Sequence, residues 1–285
     1  MTALNECLLP HRLQCMEIWG GSHTAENAVS TPGLDLWIYS RPFQEASAGG
    51  DVHYVSLCGG GVITRFILAD VAGHGTAVAD VARQLRALMR QNINRKSQAR
   101  LVRELNRQFT GLGQAGRFAT AVVATYLATT RRLTICNAGH PHPLWYHAET
   151  GAWTALSGKN GATTAEDGNL PFGIDDRAAY NQWEIPLADG DFLLFYTDAL
   201  VEALDRREQP LGEAGLLDLV SRLNLDEPQK APRALLTSLD HYRSGRPAED
   251  DQTFLLLRHT GARPPRLSVR EKIDVYAKVF GLKRV

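Results

Sequence analysis

The chain is short of cysteine, of long apolar runs and of any excess charge, and each shortage removes a class of protein. Its four cysteines, Cys7, Cys15, Cys58 and Cys136, include no C-x-x-C pair. Such spacing suits neither a disulfide framework nor a zinc ribbon, and a reduced cytoplasmic protein is expected. The longest apolar runs, such as Phe192–Tyr196 and Phe254–Leu257, are far shorter than a bilayer-spanning helix. Residues 1–10 lack the basic start and apolar centre of a secretory leader, so no export signal is expected. Lys and Arg together number 31, as do Asp and Glu, and the formal net charge is zero. A dedicated nucleic-acid binder carries a basic surplus that displaces counterions, so neither nucleic acid nor a membrane is an expected partner. Internal repeats and low-complexity tracts are also missing.

What remains is an ordinary globular composition, 44% hydrophobic and 22% charged over 285 residues. That length makes one large or two modest domains and buries a core without disulfide or metal staples. Residues 1–33 are weakly patterned and end in the turn-like Ser30-Thr31-Pro32-Gly33. β-rich runs follow at Leu36–Ser40, Val52–Leu57 and Val62–Ala69, the last two flanking Gly59-Gly60-Gly61 as a hairpin would. The period then changes. Val78, Val81, Leu85, Leu88 and Met89 recur at helical spacing, and Ser97 can cap a second helix bearing Leu101, Val102, Leu105 and Phe109. Strands return at Thr120–Ala128, Leu133–Asn137, Leu144–His147 and Trp153–Leu156, then at Trp183–Pro186 and Asp191–Thr197 after an exposed loop over 159–169. Helices near Glu213–Leu223 and Pro232–Tyr242 precede a last strand at Thr253–Arg258. Beyond Pro265, a helix with Val269, Ile273, Tyr276 and Phe280 on one face is expected to pack back. Strands and helices come in blocks and do not alternate, which predicts an α+β protein built on antiparallel hairpins.

Carboxylates recur at the ends of these strands. Asp51 follows Gly49-Gly50, Asp70 ends Phe66-Ile67-Leu68-Ala69, Asp198 ends Phe192–Thr197, and Asp250-Asp251 precede Thr253–Arg258. An aspartate at a strand end commonly bonds nearby backbone N–H groups and needs no further role. Brought together, however, such carboxylates repel one another and resist ionising unless a cation lies between them. Hard oxygen donors of this kind suit Mg²⁺ or Mn²⁺.

The blocks around these residues resemble those of the PPM-type (type 2C) serine/threonine phosphatases, in the bacterial SpoIIE/RsbU-like branch. Asp70-Val71-Ala72-Gly73-His74-Gly75 resembles the D-x-x-G-H-G block, and Gly49-Gly50-Asp51 the G-G-D block. Asn137-Ala138-Gly139-His140-Pro141, Leu170-Pro171-Phe172-Gly173-Ile174, the stretch from Tyr196-Thr197-Asp198 to Glu202-Ala203, and Asp250-Asp251-Gln252-Thr253 are similar to four further blocks, in the family's order. The resemblance implies an α-β-β-α sandwich of two mainly antiparallel sheets flanked by helices. It implies a phosphatase domain over 34–259, with 1–33 as an extension packing on it and 260–285 as a helical tail. It also implies two Mn²⁺ or Mg²⁺ ions. Asp70 would bridge them, Val71 would offer its carbonyl to one, Asp198 and Asp250 would hold the other, and Asp51 would bind directly or through water. Asp251 ranks below Asp250 as a ligand.

The implied reaction is hydrolysis of phosphoserine or phosphothreonine by direct attack of a metal-activated water. The implied partner is a phosphorylated protein, of which anti-sigma-factor antagonists are the branch's common kind. No cysteine stands in a C-x₅-R pattern, which agrees with a route lacking a phosphocysteine. Ala199 stands where the family has glycine, and Val52-His53-Tyr54 replaces the common continuation after Asp51. His74 and His140 read as positioning or turn residues, Arg41 as a solvated surface side chain, and Cys58 and Cys136 as core. Two other readings stay open at this point: an inactive homologue that binds a phosphoprotein or kinase as an adaptor, and a hydrolase of small phosphate esters.

Overall fold

The longer strands from Leu34 onward are mostly apolar, and in several both faces are apolar because both are covered. The computed structural model describes residues 10–14, 17–58, 61–73, 76–92, 97–112, 116–157 and 169–264. In chain order the strands are β1 His11–Arg12, β2 Ile18–Gly21, β3 Ala25–Thr31, β4 Leu34–Arg41, β5 Asp51–Cys58 and β6 Ile63–Val71. Helices α1 Thr76–Asn92 and α2 Gln98–Thr110 come next. After them run β7 Ala119–Leu127, β8 Arg132–Ala138, β9 Leu144–His147, β10 Ala152–Ala155, β11 Trp183–Pro186 and β12 Phe192–Tyr196. Helices α3 Gly212–Ser221 and α4 Ala231–Arg243 and strand β13 Gln252–His259 complete the described chain.

The strands form two sheets, ordered β1-β3-β4-β13-β12-β9-β10 and β11-β8-β7-β6-β5-β2. Every pairing is antiparallel except the two-residue β1–β3 contact. Three separate apolar cores define four layers. Leu36, Ile38, Val55, Leu57, Phe66, Leu68, Val122, Phe195 and Leu255 fill the space between the sheets. Alternate residues of β5 and β6, Val52, Tyr54, Ile67 and Ala69, turn outward against Val78, Val81, Leu85, Leu101 and Leu105 of α1 and α2. Trp37, Leu194, Phe254 and Leu256 face Leu216, Val220, Leu235 and Leu239 of α3 and α4. This is the expected α-β-β-α sandwich, and Ser97 caps α2 by accepting the Arg100 N–H. Among the described residues no helix is long and apolar enough to cross a membrane.

Residues before Leu34 depart from the expected appended extension. β2 pairs with β5 and β3 with β4, so this segment supplies strands to both sheets. Its pattern was weak because Ile18–Gly21 contains two glycines, and Ala25–Thr31 buries Ala25, Ala28 and Val29 out of strict alternation. Cys136 is core, but Cys58 is only half buried at the end of β5. The expected tail helix, His74, and most of the 159–169 loop lie outside the described residues.

Candidate metal centre

One end of the sandwich collects the carboxylates, and strand register is the reason. β5 begins at Asp51 and β6 ends just past Asp70, and the antiparallel ladder sets these two residues directly opposite each other. By strand alternation both project between the sheets, Asp51 with Val55 and Leu57, Asp70 with Phe66 and Leu68. Like charges directly opposed destabilise a sheet, so this pairing requires a compensating influence. The other sheet brings two more. β12 runs antiparallel to β13 with Tyr196 opposite Phe254, which brings Asp198, just after β12, and Asp250, just before β13, to the same end of that sheet.

Two threonines with no role assigned from sequence hold Asp51. The Thr197 hydroxyl donates to Asp51 Oδ2 at 3.0 Å, and the Thr253 hydroxyl also hydrogen-bonds the carboxylate. Thr253 in turn meets Ser40 Oγ at 3.0 Å on β4, and its N–H donates to Thr197 Oγ1 at 3.1 Å. A carboxylate on one sheet is thus fixed by hydroxyls on the other. The sequence signal was present, since each threonine sits within three residues of an expected ligand.

Asp251 has a different task from its neighbour. Its carboxylate is buried and accepts the backbone N–H of Gly50 at 2.5 Å and of Phe43 at 2.6 Å. It thereby ties the start of β13 to the turn that delivers Asp51. The adjoining Asp250 is exposed, and its Oδ1 accepts the Asp251 N–H at 2.7 Å. The glycine pair is a matter of close approach. A Cβ on Gly49 would collide with the Asp251 carboxylate, and one on Gly50 would lie 2.8 Å from the Val71 carbonyl oxygen. Gly50→Ala is expected to displace that carbonyl. The measurement is Mn²⁺ affinity by calorimetry, expected about tenfold weaker, the size associated with disturbed support of metal ligands.

The electrostatics match this crowding. Asp70 is pushed up to about 7, by burial first and then by Asp198, Asp250, Asp251 and Glu202. Asp51 is held well above the ordinary carboxylate range by burial and then by Asp70. Asp198 is raised too, by burial and then by Glu202. Glu202 is a member of this cluster that sequence reasoning left without a role. A cavity of about 230 Å³ beside it is lined by Ala199, Glu202, Arg243, Arg246, Glu249 and Asp250, among others.

Among the described residues no group of three His, Cys, Asp or Glu side chains is close enough together to hold a metal ion. The donor set nevertheless fits hard divalent cations. Its carboxylates raise one another's pKa, and no cationic side chain is among the causes acting on Asp51, Asp70 or Asp198.

A pH dependence follows. A carboxyl whose pKa rises on folding stabilises the fold fully below its ordinary 3.8, and that contribution disappears as pH climbs through about 7. The melting temperature of chelated protein is therefore expected to fall from about pH 4.5 to 7.5, and saturating Mn²⁺ to restore it at the upper end. Scanning fluorimetry across that range, with and without metal, checks both limbs.

His140 serves structure. The His140 N–H donates to Asn137 Oδ1 and the Asn137 amide donates to the His140 carbonyl, both at 2.7 Å, closing a tight turn. Its Nδ1 lies 2.8 Å from Thr120 Oγ1, and burial depresses the ring to about 3, so it stays neutral. Arg41 pairs with Glu45 at the surface.

Comparisons with known proteins bear on this site. The family model described as "Stage II sporulation protein E (SpoIIE)" matches residues 61–260. Phosphoserine phosphatase RsbP of Bacillus subtilis (strain 168) is 26% identical over 200 residues, covering 67% of this chain and 44% of RsbP. The chain thus spans less than half the length of that relative. The structure of the RsbU and RsbW domains of Rv1364c from Mycobacterium tuberculosis superposes with a TM-score of 0.67 at 24% identity, over 87% of this chain and 69% of that one. The catalytic domain of the serine/threonine phosphatase PstP, solved in complex with 2 manganese ions, gives 0.54 at 15% identity, over 80% and 98% of the two chains. At these identities the structural likeness establishes a shared fold.

Proposed function

The chain belongs to the stage II sporulation protein E (SpoIIE) family, and from that premise we propose that it is a cytoplasmic, divalent-metal-dependent phosphatase of phosphoserine and phosphothreonine in bacterial signalling. The observation that carries the proposal is the convergence of Asp51, Asp70, Asp198 and Asp250 from distant parts of the chain onto one end of the sandwich. There, burial and mutual repulsion hold Asp70 near neutral pKa.

In this reading Asp70, the Val71 carbonyl, Asp198 and Asp250 would hold two Mn²⁺ or Mg²⁺ ions, with Asp51 binding directly or through water. When bound, such ions supply a water activated as a nucleophile near neutral pH and offset the charge of the phosphoryl group. Thr197 and Thr253 keep Asp51 oriented through their hydroxyls. Asp251 holds the Gly50 turn against β6, so the Val71 carbonyl keeps its place. His140, neutral and buried, donates no catalytic proton. Covalent catalysis by the described cysteines does not suit the geometry. Cys136 is core, with its thiol pushed to about 12, and Cys58 closes the opposite end of β5 from Asp51. The substrate class that the reading favours is a small phosphorylated regulator of the anti-sigma-factor-antagonist kind.

The test is phosphate release from a phosphoserine peptide with Mn²⁺, with chelator, and for Asp198→Asn. Turnover that needs metal and disappears in the variant supports the proposal. Metal binding without turnover would favour an adaptor, and turnover by Asp198→Asn in chelator would end the metal-site reading. Faster turnover of nucleotide or sugar phosphates than of the peptide would favour a small-ester hydrolase.

A further inference from the structure

The Leu170-Pro171-Phe172-Gly173-Ile174 block has no part in the carboxylate cluster, yet the fold carries it to the cluster's edge. Ala119 and Phe172 exchange backbone hydrogen bonds of 2.9 and 2.8 Å, which seats this segment beside the start of β7. The same stretch of β7 continues the ladder past Asp70. Thr120 is opposite Asp70, Ala119 opposite Val71, and the Phe118 carbonyl accepts the Ala72 N–H at 3.0 Å. Phe172 itself is fully buried, but the residues around it are not. Among the described residues, the exposed large apolar side chains are Phe118 at 38%, Leu170 at 45% and Ile174 at 54%. All three belong to this one junction.

A cation accompanies them. A Cβ on Gly73 would lie 3.8 Å from Arg117 Nη1, and one on Gly173 would lie 2.6 Å from the Arg117 carbonyl oxygen, so Arg117 stands between the two blocks. Its half-buried guanidinium makes no hydrogen bond or ion pair among the described residues.

We propose that Phe118, Leu170 and Ile174, with Arg117 at their inner end, form the surface on which the phosphoprotein substrate docks, taking apolar residues that flank its phosphorylated serine or threonine. The proposal rests on the phosphatase reading above and adds which substrates that site accepts. An isolated apolar side chain on a surface needs no explanation, but a cluster of them at the rim of a polar cleft marks an interaction site. Arg117, without a hydrogen-bond or ion-pair partner among the described residues, selects the occupant. A chain carrying a phosphoryl dianion complements it, and the ridge begins one residue from the Val71 carbonyl, within reach of residues adjoining the phosphorylated one.

The experiment uses the full chain with Mn²⁺ and three probes. These are p-nitrophenyl phosphate, a phosphoserine peptide with leucine and phenylalanine beside the phosphoserine, and the same peptide with serines there. The wild type is expected to favour the apolar peptide over the serine peptide by about tenfold in kcat/KM, the worth of one or two buried methylene groups. The double variant Leu170→Ser/Ile174→Ser, changed only at exposed positions, is expected to lose that preference through KM while its turnover of p-nitrophenyl phosphate persists. A preference that survives in the variant, or none in the wild type, would overturn the docking surface with the phosphatase reading intact. Altered self-association of the variant with unchanged kinetics would assign the ridge to a second copy of the chain and overturn it too. Wild-type chain inert toward all three probes would sink both readings together.

Discussion

Asp70→Asn is expected to abolish phosphate release, by about 10³-fold or more, and at the same time to make the metal-free protein harder to melt above neutral pH. The two effects share a cause. Asp70 lies opposite Asp51 on the neighbouring strand and within reach of Asp198, Asp250 and Glu202, so its negative charge is useful only when a cation is bound. Asparagine keeps the shape and removes the charge. The wild type therefore carries a destabilising ionised group at about pH 8 that the variant lacks, and chelated Asp70→Asn should melt a few degrees higher there. At about pH 4.5 the wild-type carboxyl is already protonated and the advantage should vanish. Melting curves at the two pH values, beside a phosphate-release assay, decide the matter. An advantage of equal size at both would mean that packing and not charge is responsible, and retained turnover would remove Asp70 from the proposed metal centre.

The adjacent aspartates Asp250 and Asp251 are expected to separate activity from stability. Asp251→Ala removes a buried acceptor from two backbone N–H groups, those of Gly50 and Phe43, and leaves both without the partner that held them. The Gly50 N–H is buried and the Phe43 N–H partly so. An unsatisfied buried donor costs about 1–3 kcal/mol, so a loss of about 2–3 kcal/mol is expected, or roughly 4–10 °C in melting temperature for a chain of this size. Asp250→Ala changes an exposed side chain, and its stability should move by no more than about 0.5 kcal/mol. Its turnover should nonetheless collapse, because the proposed metal centre loses a ligand. Denaturant melts and phosphate release on the two variants test the division. Equal stability losses would show that exposure had been a poor guide to what these neighbours do.

Most elements were legible because their periods are clean. The Val78–Met89 and Leu101–Phe109 repeats became α1 and α2, and Leu144–His147 and Trp183–Pro186 became strands with the expected limits. The strands before Leu34 were not legible, since short segments rich in alanine and glycine carry little apolar contrast. Burial of both faces likewise hid which residues of β5 and β6 point toward the metal centre. The residues between helices and sheets are as apolar as those between the two sheets.

By itself the sequence determined the α+β class, the resemblance to the phosphatase family and the aspartates worth watching, because period and short motifs are local properties. Tertiary structure decided what holds each of those aspartates. Register set Asp51 against Asp70, and contact between sheets gave Asp51 the hydroxyls of Thr197 and Thr253. Burial made Asp251 a backbone acceptor while Asp250 stayed in solvent. Only the folded chain could bring Glu202, a local neighbour of Asp198, within reach of Asp70, and Arg117 to the edge of the Leu170–Ile174 ridge. Charge, burial and hydrogen bonding depend on distances across the fold, and neighbours in sequence do not specify them.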